Sequence, residues 1–438
     1  MANAKVSIII PSFNTGKYIS QCLDSVVNQT LKDIEIICID NHSTDNTLNI
    51  LREYAKRDSR IKIISFNENN GAAASRNIGI ENATGEYIGF VDSDDYIHLE
   101  MFEKLYDAAI SKDLDMCMCK ISTFEDGTGV LNDDIWYFAL NCFNQLKKEV
   151  FNHHDTKEFM GEISVTVYNK IYRASMIRKN QIRFPMTPVF EDEVFFYDTY
   201  LHSQRVSVIP HNLYYYRTNR EGSIVQQTAD KDYSPVVEVF KTIRNIFIKT
   251  NNYEEYKCIL CNIFIPMEIW RYGLSSKKYH ESFFKDMKAD CLELFEDKEI
   301  LENLPIHIVD RVDNLINSSD WVEFDKKENF KDISVILTCY NDEKTIEKSI
   351  LSVINQDLDF KKHVQCIIVD DGSEDKTKDI CEKYIDLYPN NIVYIHQKHQ
   401  GKSNAINLGT RYTKGKYYYY LDGNEEIKPQ ELLKLFNG

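Results

Sequence analysis

The sequence predicts an α/β fold in which a mostly parallel sheet is formed by strands that alternate with helices. Short apolar runs rich in β-branched residues alternate with segments whose apolar residues recur at helical spacing. The same pattern begins again at residue 333, which indicates an internal repeat. We therefore expect one complete α/β domain, a helical middle region and a second, partial α/β unit.

The composition is that of an ordinary soluble globular protein. The 438 residues carry a formal net charge of −16, and 43% of them are hydrophobic. This charge excludes a nucleic-acid backbone as partner, because such binding needs clustered Lys and Arg. The 11 cysteines have no disulfide or zinc spacing, so we expect buried free thiols in a reducing cytoplasm. No apolar stretch is long enough to span a bilayer, so any membrane contact is expected to be peripheral. The sequence leaves homo-oligomerisation open.

The first hundred residues contain four predicted strands. Residues 6–10, 34–39 and 61–66 are short segments rich in isoleucine and other apolar residues, as expected of strands in a parallel sheet, and Gly85 begins a fourth. The carboxyl ends of parallel strands meet at one edge of a sheet, where ligands bind in open α/β folds. One polar or small residue at each strand end is therefore expected to line one crevice: Asn14, Asp40, Gly71 and Asp92.

The fourth strand leads directly into three carboxylates, Asp92, Asp94 and Asp95. A buried strand cannot hold unpaired carboxylates, so the strand is expected to end where they begin. In an extended segment, Asp92 and Asp94 would point the same way. Such oxygen ligands suit Mg²⁺ or Mn²⁺, which usually keep substrate phosphates as further ligands. Taken alone, the stretch is better explained as a solvated acidic turn.

Four motifs, in order, resemble family 2 glycosyltransferases of the GT-A fold: residues 7–14, 39–45, 70–79 and 90–95. The resemblance covers most of residues 5–110. It implies a nucleoside-diphosphate-sugar donor, usually a UDP-sugar, and a divalent metal, Mn²⁺ or Mg²⁺. A cation suits this acidic chain, because a sugar diphosphate needs positive charge to be held and to leave. One departure is Asn41, where many members of the family carry a second aspartate.

The resemblance also implies roles for individual residues. Phe13 and Asn14 would flank the nucleotide, and Asp40 would accept a hydrogen bond from the base. Arg76 would lie near the diphosphate or the donor sugar, and Asp92 by the ribose. The complete implied set is Pro11, Phe13, Asn14, Asp40, Gly71, Arg76, Asp92, Ser93 and Arg217 for the nucleotide-sugar, with Asp94 as the metal ligand.

Residues 96–228 are expected to bind the acceptor. As in the family, an Asn169-Lys170 segment precedes Phe184-Pro185 and then Glu191-Asp192 at the start of a helix. The second residue of that pair is the family's catalytic base, so the resemblance assigns this role to Asp192. A carboxylate that takes the proton of an acceptor hydroxyl typically accelerates transfer ~10²–10⁴-fold. The alternative is that these carboxylates only face the helix dipole.

A later segment, residues 214–217 followed by Gly222 and Ser223, resembles a further motif of the family. Arg217 or Ser223 is expected to touch the diphosphate or to close over it. An edge strand with exposed aromatic residues and a solvated arginine is an equally good explanation.

The second copy keeps a fixed register with the first. Asp370, Gly401 and Asp422 each stand 330 residues after their counterparts. It departs from the first copy where Asn424 replaces the metal ligand and Ile406 replaces the arginine, so its metal affinity is expected to be lower. We expect this partial copy to belong to a longer protein with two transferase domains. The alternative is a degenerate binding or dimerisation module.

These observations predict a GT-A domain at 1–228, formed by a nucleotide-binding half at 1–95 and an acceptor half at 96–228. A helical region at 229–331 and a partial second nucleotide-binding half at 332–438 follow. The predicted activity is inverting, metal-dependent transfer from a UDP-sugar to a hydroxyl of a glycan or lipid-linked saccharide. Capsule or lipopolysaccharide synthesis in the bacterial cytoplasm would suit such an enzyme.

Two alternative functions agree less well with the sequence. A sugar-phosphate nucleotidyltransferase would need a glycine-rich, basic phosphate loop after the first strand, and residues 11–14 provide neither glycine nor charge. A non-catalytic nucleotide-sugar-binding module is opposed in the first half by Asp92, Asp94 and Asp192. For residues 332–438 that alternative stays open.

Overall fold

The computed structural model describes residues 4–133, 140–220 and 230–437, apart from the side chains of 306 and 307. The chain forms two compact units. The first contains Met1–Thr228 and Glu238–Ile259, and the second contains Ala229–Val237 and Leu260–Gly438. The division into domains at 228 and 331 stays a prediction.

The first unit contains one mixed β-sheet. Its strands are β1 (Val6–Ser12), β2 (Ile34–Asp40), β3 (Ile61–Ser65), β4 (Tyr87–Phe90), β5 (Tyr96–Ile97), β6 (Met116–Glu125), β7 (Leu131–Asn132), β8 (Lys170–Arg173) and β9 (Val206–Thr218). The strand order is β3-β2-β1-β4-β8-β6-β9-β5, and β7 pairs with β6. The neighbours from β3 to β4 are parallel, whereas β8 is antiparallel to both β4 and β6. The predicted α/β class with a mostly parallel nucleotide-binding sheet is confirmed.

Helices cover this sheet as the apolar periodicity predicts. They are α1 (Ile19–Val27), α2 (Thr47–Arg57), α3 (Gly71–Asn82), α4 (Met101–Ser111), α5 (Ala174–Lys179) and α6 (Glu191–His202), with short 3-10 helices at Asn141–Gln145 and Lys157–Glu162. Close packing of α3 on β1 requires Gly79, because a Cβ atom there would lie 2.4 Å from Cγ2 of Ile9. This packing fixes the start of α3 beside the ends of β1 and β2.

Residues 236–328 are helical, as their periodicity predicts. The helices are α7 (Val236–Lys249), α8 (Tyr253–Leu274), α9 (His280–Leu294), α10 (Lys298–Asn303), α11 (Ile306–Ile316) and α12 (Trp321–Glu328), with a 3-10 turn at Lys277–Tyr279. Within the described ranges, no helix is both long and apolar enough to cross a membrane. All the cysteines of the chain are free thiols, and all except the half-buried Cys258 are buried.

The second unit contains a parallel four-stranded sheet in the order β12-β11-β10-β13, with strands β10 (Lys331–Cys339), β11 (Val364–Asp370), β12 (Ile392–His396) and β13 (Gly415–Asp422). Its helices are α13 (Ile346–Ile354), α14 (Phe360–His363), α15 (Thr377–Leu387), α16 (Lys402–Thr410) and α17 (Glu431–Asn437). This order repeats β3-β2-β1-β4 of the first unit. The structure therefore confirms the internal repeat.

Candidate active site

The carboxylates after β4 lie in a tight turn, which we call the acidic loop (residues 92–95). The N–H of Asp95 donates to the carbonyl of Asp92 at 3.1 Å and closes this turn. The expectation of an extended segment is therefore wrong. Asp92 Oδ1 accepts a hydrogen bond from Arg76 Nη2 at 3.0 Å, whereas Asp94 Oδ2 is paired with Arg220 Nε. The two carboxylates thus bind different arginines.

Asp95 anchors the acidic loop to β9. Its carboxylate is 1% exposed and accepts hydrogen bonds from Tyr214 Oη and from the N–H of Arg217, both at 2.7 Å. Burial and the neighbouring Asp94 raise the pKa of Asp95 well above its usual range. Because β9 pairs with β6 and β5, and both Tyr214 and Arg217 are buried, the alternative of an edge strand with a solvated arginine is wrong.

The guanidinium group of Arg217 also holds the acidic loop. It donates to the carbonyl of Asp94 at 2.6 Å, to Asp126 Oδ1 at 2.7 Å and to Gln21 Oε1 at 2.6 Å. A direct contact between Arg217 and a diphosphate stays a prediction. Ser223, the other residue expected there, lies outside the described residues.

Arg76 joins the acidic loop to the start of α6. It is 7% exposed, and its Nη1 donates to Glu191 Oε1 at 2.8 Å while Nη2 holds Asp92. Its guanidinium carbon lies 5.4 Å from the centroid of the Phe184 ring. Within the part of the chain that the structure describes, Nε of Arg76 has no hydrogen-bond partner. One N–H of a buried cation is therefore available to a ligand oxygen.

Asp40 is placed at the end of β2 as the sequence predicts. It is 1% exposed, and Ser65 Oγ donates to its Oδ2 at 3.2 Å. Its other oxygen, Oδ1, has no partner among the described residues. A buried carboxylate oxygen without a donor is costly, so this atom is suited to accept a hydrogen bond from a ligand.

Asn41, where the family often has an aspartate, organises the loop before α3. Its Nδ2 donates to Asn69 Oδ1 at 2.7 Å, and its Oδ1 accepts from the N–H of Asn70 at 2.9 Å. Gly71 follows with a φ of 83°, which favours glycine, and begins α3. An asparagine side chain can donate one hydrogen bond and accept another, whereas a carboxylate can only accept. The asparagine at this position therefore makes both of the hydrogen bonds that hold the loop before α3.

The remaining predicted nucleotide residues lie at the end of β1 and in the acidic loop. Asn14 has a φ of 51°, and its Oδ1 accepts from the N–H of Thr44 at 2.8 Å. Phe13 is 43% exposed, Pro11 pairs with Ile39 inside β1, and Ser93 is buried in the turn. The exposed ring of Phe13 leaves an apolar face beside the strand ends.

The proposed base lies in the first turn of α6. Asp192 is half-buried, and its Oδ1 accepts from the N–H of Glu193 at 3.1 Å. Burial, reinforced by the charges of Glu191 and Glu193, raises the pKa of Asp192 to about 7, against an opposing effect of Arg76. A carboxylate that titrates near neutral pH is suited to take up a proton.

Two buried polar side chains hold the segments that precede α6. Asn77 exchanges two hydrogen bonds with the backbone of Phe184, at 2.8 and 2.9 Å, and so ties this segment to α3. Lys170 is fully buried, and its Nζ donates to the carbonyls of Ser164 (3.0 Å) and Thr166. Both residues lie within the motifs that resemble the family, but no pattern in the sequence indicates their supporting role.

The acidic loop fits a divalent cation that arrives with a diphosphate. Within the described residues, no group of three or more His, Cys, Asp or Glu side chains forms a ligand set that the protein could provide alone. Burial and the neighbouring Asp92 raise the pKa of Asp94, so positive charge beside this carboxylate is favoured. The guanidinium of Arg220 shows that a cation is accommodated there. One or two carboxylates plus substrate phosphates are a usual magnesium ligand set.

In the second unit, the carboxylates at the strand ends are bound by other groups of the same unit. Asp370 is fully buried, and both of its oxygens accept hydrogen bonds, from the N–H of Ser373 at 2.8 Å and from Tyr394 Oη at 2.5 Å. Lys402 Nζ lies 2.6 Å from Asp422 Oδ2. In the first unit, by contrast, Asp40 keeps one oxygen without a partner among the described residues, and Asp92 is bound by Arg76.

Fold and site together define an α/β enzyme whose carboxylates lie at the carboxyl ends of parallel strands. The model of the family "Glycosyl transferase family 2" matches residues 7–179 and again 334–438. The chain therefore belongs to glycosyl transferase family 2, and it is an enzyme of the glycosyltransferase class. Each matched segment contains one copy of the repeat, and the first match continues beyond its copy to residue 179.

Curated relatives support this assignment. The chain is 34% identical over 261 residues to the "Putative glycosyltransferase EpsH" of Bacillus subtilis, which covers 59% of this chain and 73% of the relative. It is 35% identical over 248 residues to the "Poly(ribitol-phosphate) beta-glucosyltransferase" of Bacillus spizizenii, which covers 55% of this chain and 37% of that protein.

Solved structures support the fold. A crystal structure of residues 1–349 of TarS from S. aureus, in complex with UDP-GlcNAc, superposes with a TM-score of 0.58 at 22% identity. The alignment covers 74% of this chain and 90% of that structure. At this identity, the likeness confirms the GT-A architecture of the chain.

Proposed function

We propose that the first unit transfers a sugar from a UDP-sugar to an acceptor hydroxyl with inversion at the anomeric carbon. The observation that carries this proposal is the bridge made by Arg76, which joins the acidic loop at Asp92 to the helix of Asp192 through Glu191. A group that binds the leaving diphosphate and a group that takes a proton are thereby held in one site.

The donor would be recognised at the strand ends. The unpaired Oδ1 of Asp40 is suited to accept from the N–H of a uracil ring, and the exposed ring of Phe13 is suited to pack on the base. Nε of Arg76 would donate to an oxygen of the diphosphate or sugar. The TarS complex with UDP-GlcNAc supports a donor of this kind.

In the proposed reaction, Asp192 accepts the proton of the acceptor hydroxyl while that oxygen attacks the anomeric carbon from the face opposite the diphosphate. The new carbon–oxygen bond forms as the bond to the diphosphate oxygen breaks, and UDP leaves with the bonding electron pair. Asp94 would hold a divalent cation, which, when bound, stabilises the charge on the leaving diphosphate. Arg76 and Arg220 add fixed positive charge near the acidic loop.

The acceptor would be a hydroxyl of a surface glycan or of a lipid-linked saccharide. The support is the similarity to the poly(ribitol-phosphate) beta-glucosyltransferase of Bacillus spizizenii. We further propose that catalysis belongs to residues 1–228 as a GT-A domain, with 229–331 as a helical connection and 332–438 as a partial second copy. The reaction would take place in the cytoplasm.

The test is UDP release across a panel of UDP-sugars with Mn²⁺. Asp94→Asn and Asp192→Asn are compared with Asp198→Asn, which changes a carboxylate on the same helix that pairs with His202. We expect turnover of one donor, a loss of ~10²–10⁴-fold in the first two variants, and near-normal turnover in the third. Turnover that survives Asp192→Asn would contradict the assignment of the base.

A further inference from the structure

Arg76 contacts both the acidic loop and the first turn of α6. Its two terminal nitrogens hold Asp92 at 3.0 Å and Glu191 at 2.8 Å, and the side chain is 9% exposed. Glu191 precedes the proposed base directly in the first turn of α6. A change in the charge of Arg76 or Glu191 therefore acts on Asp192, in opposite directions for the two residues.

We propose that Arg76 is a positioning residue, whose charge joins the acidic loop to α6 and favours the carboxylate form of Asp192. This inference rests on the proposed role of Asp192 as the base. It gives Arg76 a function on the acceptor side of the reaction, in addition to any contact with the donor.

The charged and titratable groups around Asp192 come from three elements. Its own helix contributes Glu191 and Glu193, which raise the pKa of Asp192, and α3 contributes Arg76, which lowers it. From β8 and the residues before it come Lys170, Tyr172 and Tyr168. Burial lowers the pKa of Lys170 to about 7 and raises the tyrosine pKa values well above 10, so Lys170 also titrates near neutrality.

The deciding experiment is the pH profile of UDP release in Arg76→Gln and Glu191→Gln, with the donor found above. Both substitutions break the Arg76–Glu191 pair, and Arg76→Gln also breaks the pair with Asp92, so the sign of the shift is compared and not the rate. The acid limb of this profile is the low-pH range in which UDP release falls as Asp192 becomes protonated. If the charges of Arg76 and Glu191 change the pKa of Asp192, the acid limb moves to higher pH in Arg76→Gln and to lower pH in Glu191→Gln, by about one pH unit each. Opposite shifts are expected even if both variants are slower.

Three further variants fix the interpretation. Arg76→Lys keeps the charge and should leave the limb near its wild-type position. Lys170→Arg keeps a charge that does not titrate, so a limb that persists there does not belong to Lys170. Arg60→Gln breaks a comparable pair with Asp58, at 2.6 Å elsewhere in the unit, and should not move the limb.

Shifts of the same sign, or no shift, in Arg76→Gln and Glu191→Gln would overturn the inference. Failure of the proposed function has a different signature, because Asp192→Asn would then keep both its turnover and its acid limb. A slower Arg76→Gln enzyme with an unmoved limb would assign Arg76 to donor binding alone.

Discussion

At the residue scale, the raised pKa of Asp192 has a consequence for stability. Its folded-state pKa of about 7 lies above the ordinary aspartate value. Below about pH 4 the carboxyl is protonated in both the folded and the unfolded chain, so it has no effect on folding. As pH rises from about 4 to 7, the unfolded chain releases the proton first, and stability is lost. Such a destabilising charge is consistent with the proposed role of Asp192 as the base.

We accordingly predict that Asp192→Asn increases the free energy of unfolding. The gain should vanish near pH 4 and grow with pH to an upper limit of about 4 kcal/mol at pH 8, because the substitution removes a charge that is disfavoured only when ionised. Urea unfolding at several pH values measures it. Asp198→Asn serves as the comparison and should show no gain. A variant that is less stable than the wild type at pH 8 would refute the prediction.

A second residue-scale prediction concerns Arg220, which is paired with Asp94. A divalent cation must compete with this guanidinium for the carboxylate. In the presence of UDP, Arg220→Gln should therefore bind Mn²⁺ about 3- to 10-fold more tightly, as expected for the loss of a partly exposed ion pair. Titration calorimetry with Mn²⁺ and the protein–UDP mixture measures it, and Asp94→Asn should abolish the binding. Unchanged affinity in Arg220→Gln would show that the pair does not compete.

The roles of Arg220 and Asn41 could not be predicted from the sequence, and the physical reason is the same for both. Arg220 reaches Asp94 from a position more than a hundred residues away, and Asn41 acts through hydrogen bonds to Asn69 and Asn70. Neither contact leaves a periodic or spaced pattern. Asp40, by contrast, follows a long apolar run, so its place at a strand end could be read directly.

At the scale of elements, the parallel strands were predictable because each is a short segment rich in apolar or aromatic residues. Strands β1, β2 and β11 are almost entirely buried, whereas β3 and β13 are only partly buried. The sequence did not reveal that β8 runs antiparallel to β4, because a four-residue strand carries too short a pattern. The first strand also continues through Pro11 to Ser12, two residues beyond its apolar run. Turn geometry in the acidic loop depended on hydrogen bonds from β9, which is distant in sequence.

One element-scale prediction tests how α3 holds the segment before α6. Asn77→Ala would leave the N–H and C=O of Phe184 without their partners, which costs about 1–3 kcal/mol for buried groups. Chemical denaturation should show this loss, and turnover should fall because α6 loses its support. The control is Asn49→Ala, which removes an exposed contact with Asn46 and should be close to neutral. Equal effects of the two variants would contradict the supporting role.

At the scale of the whole molecule, the two copies of the repeat share a strand order but differ in the chemistry of their crevices. Asp40 keeps a carboxylate oxygen without a partner among the described residues, whereas both oxygens of Asp370 are bound within the second unit. Asp422 is neutralised by Lys402, and Asn424 is uncharged where the first copy has Asp94. A ligand entering the second crevice would have to break these contacts.

We therefore predict one UDP site for each chain. Titration calorimetry with UDP and Mn²⁺ should give a stoichiometry near one, because among the described residues the first unit offers the unpaired oxygen of Asp40 together with Asp94, whereas Asp370 and Asp422 of the second unit are paired. Asp94→Asn should remove this binding, whereas Asp422→Asn should leave both affinity and stoichiometry unchanged. A stoichiometry near two, with half of the binding lost in Asp422→Asn, would show that the second copy opens its crevice to the same ligand.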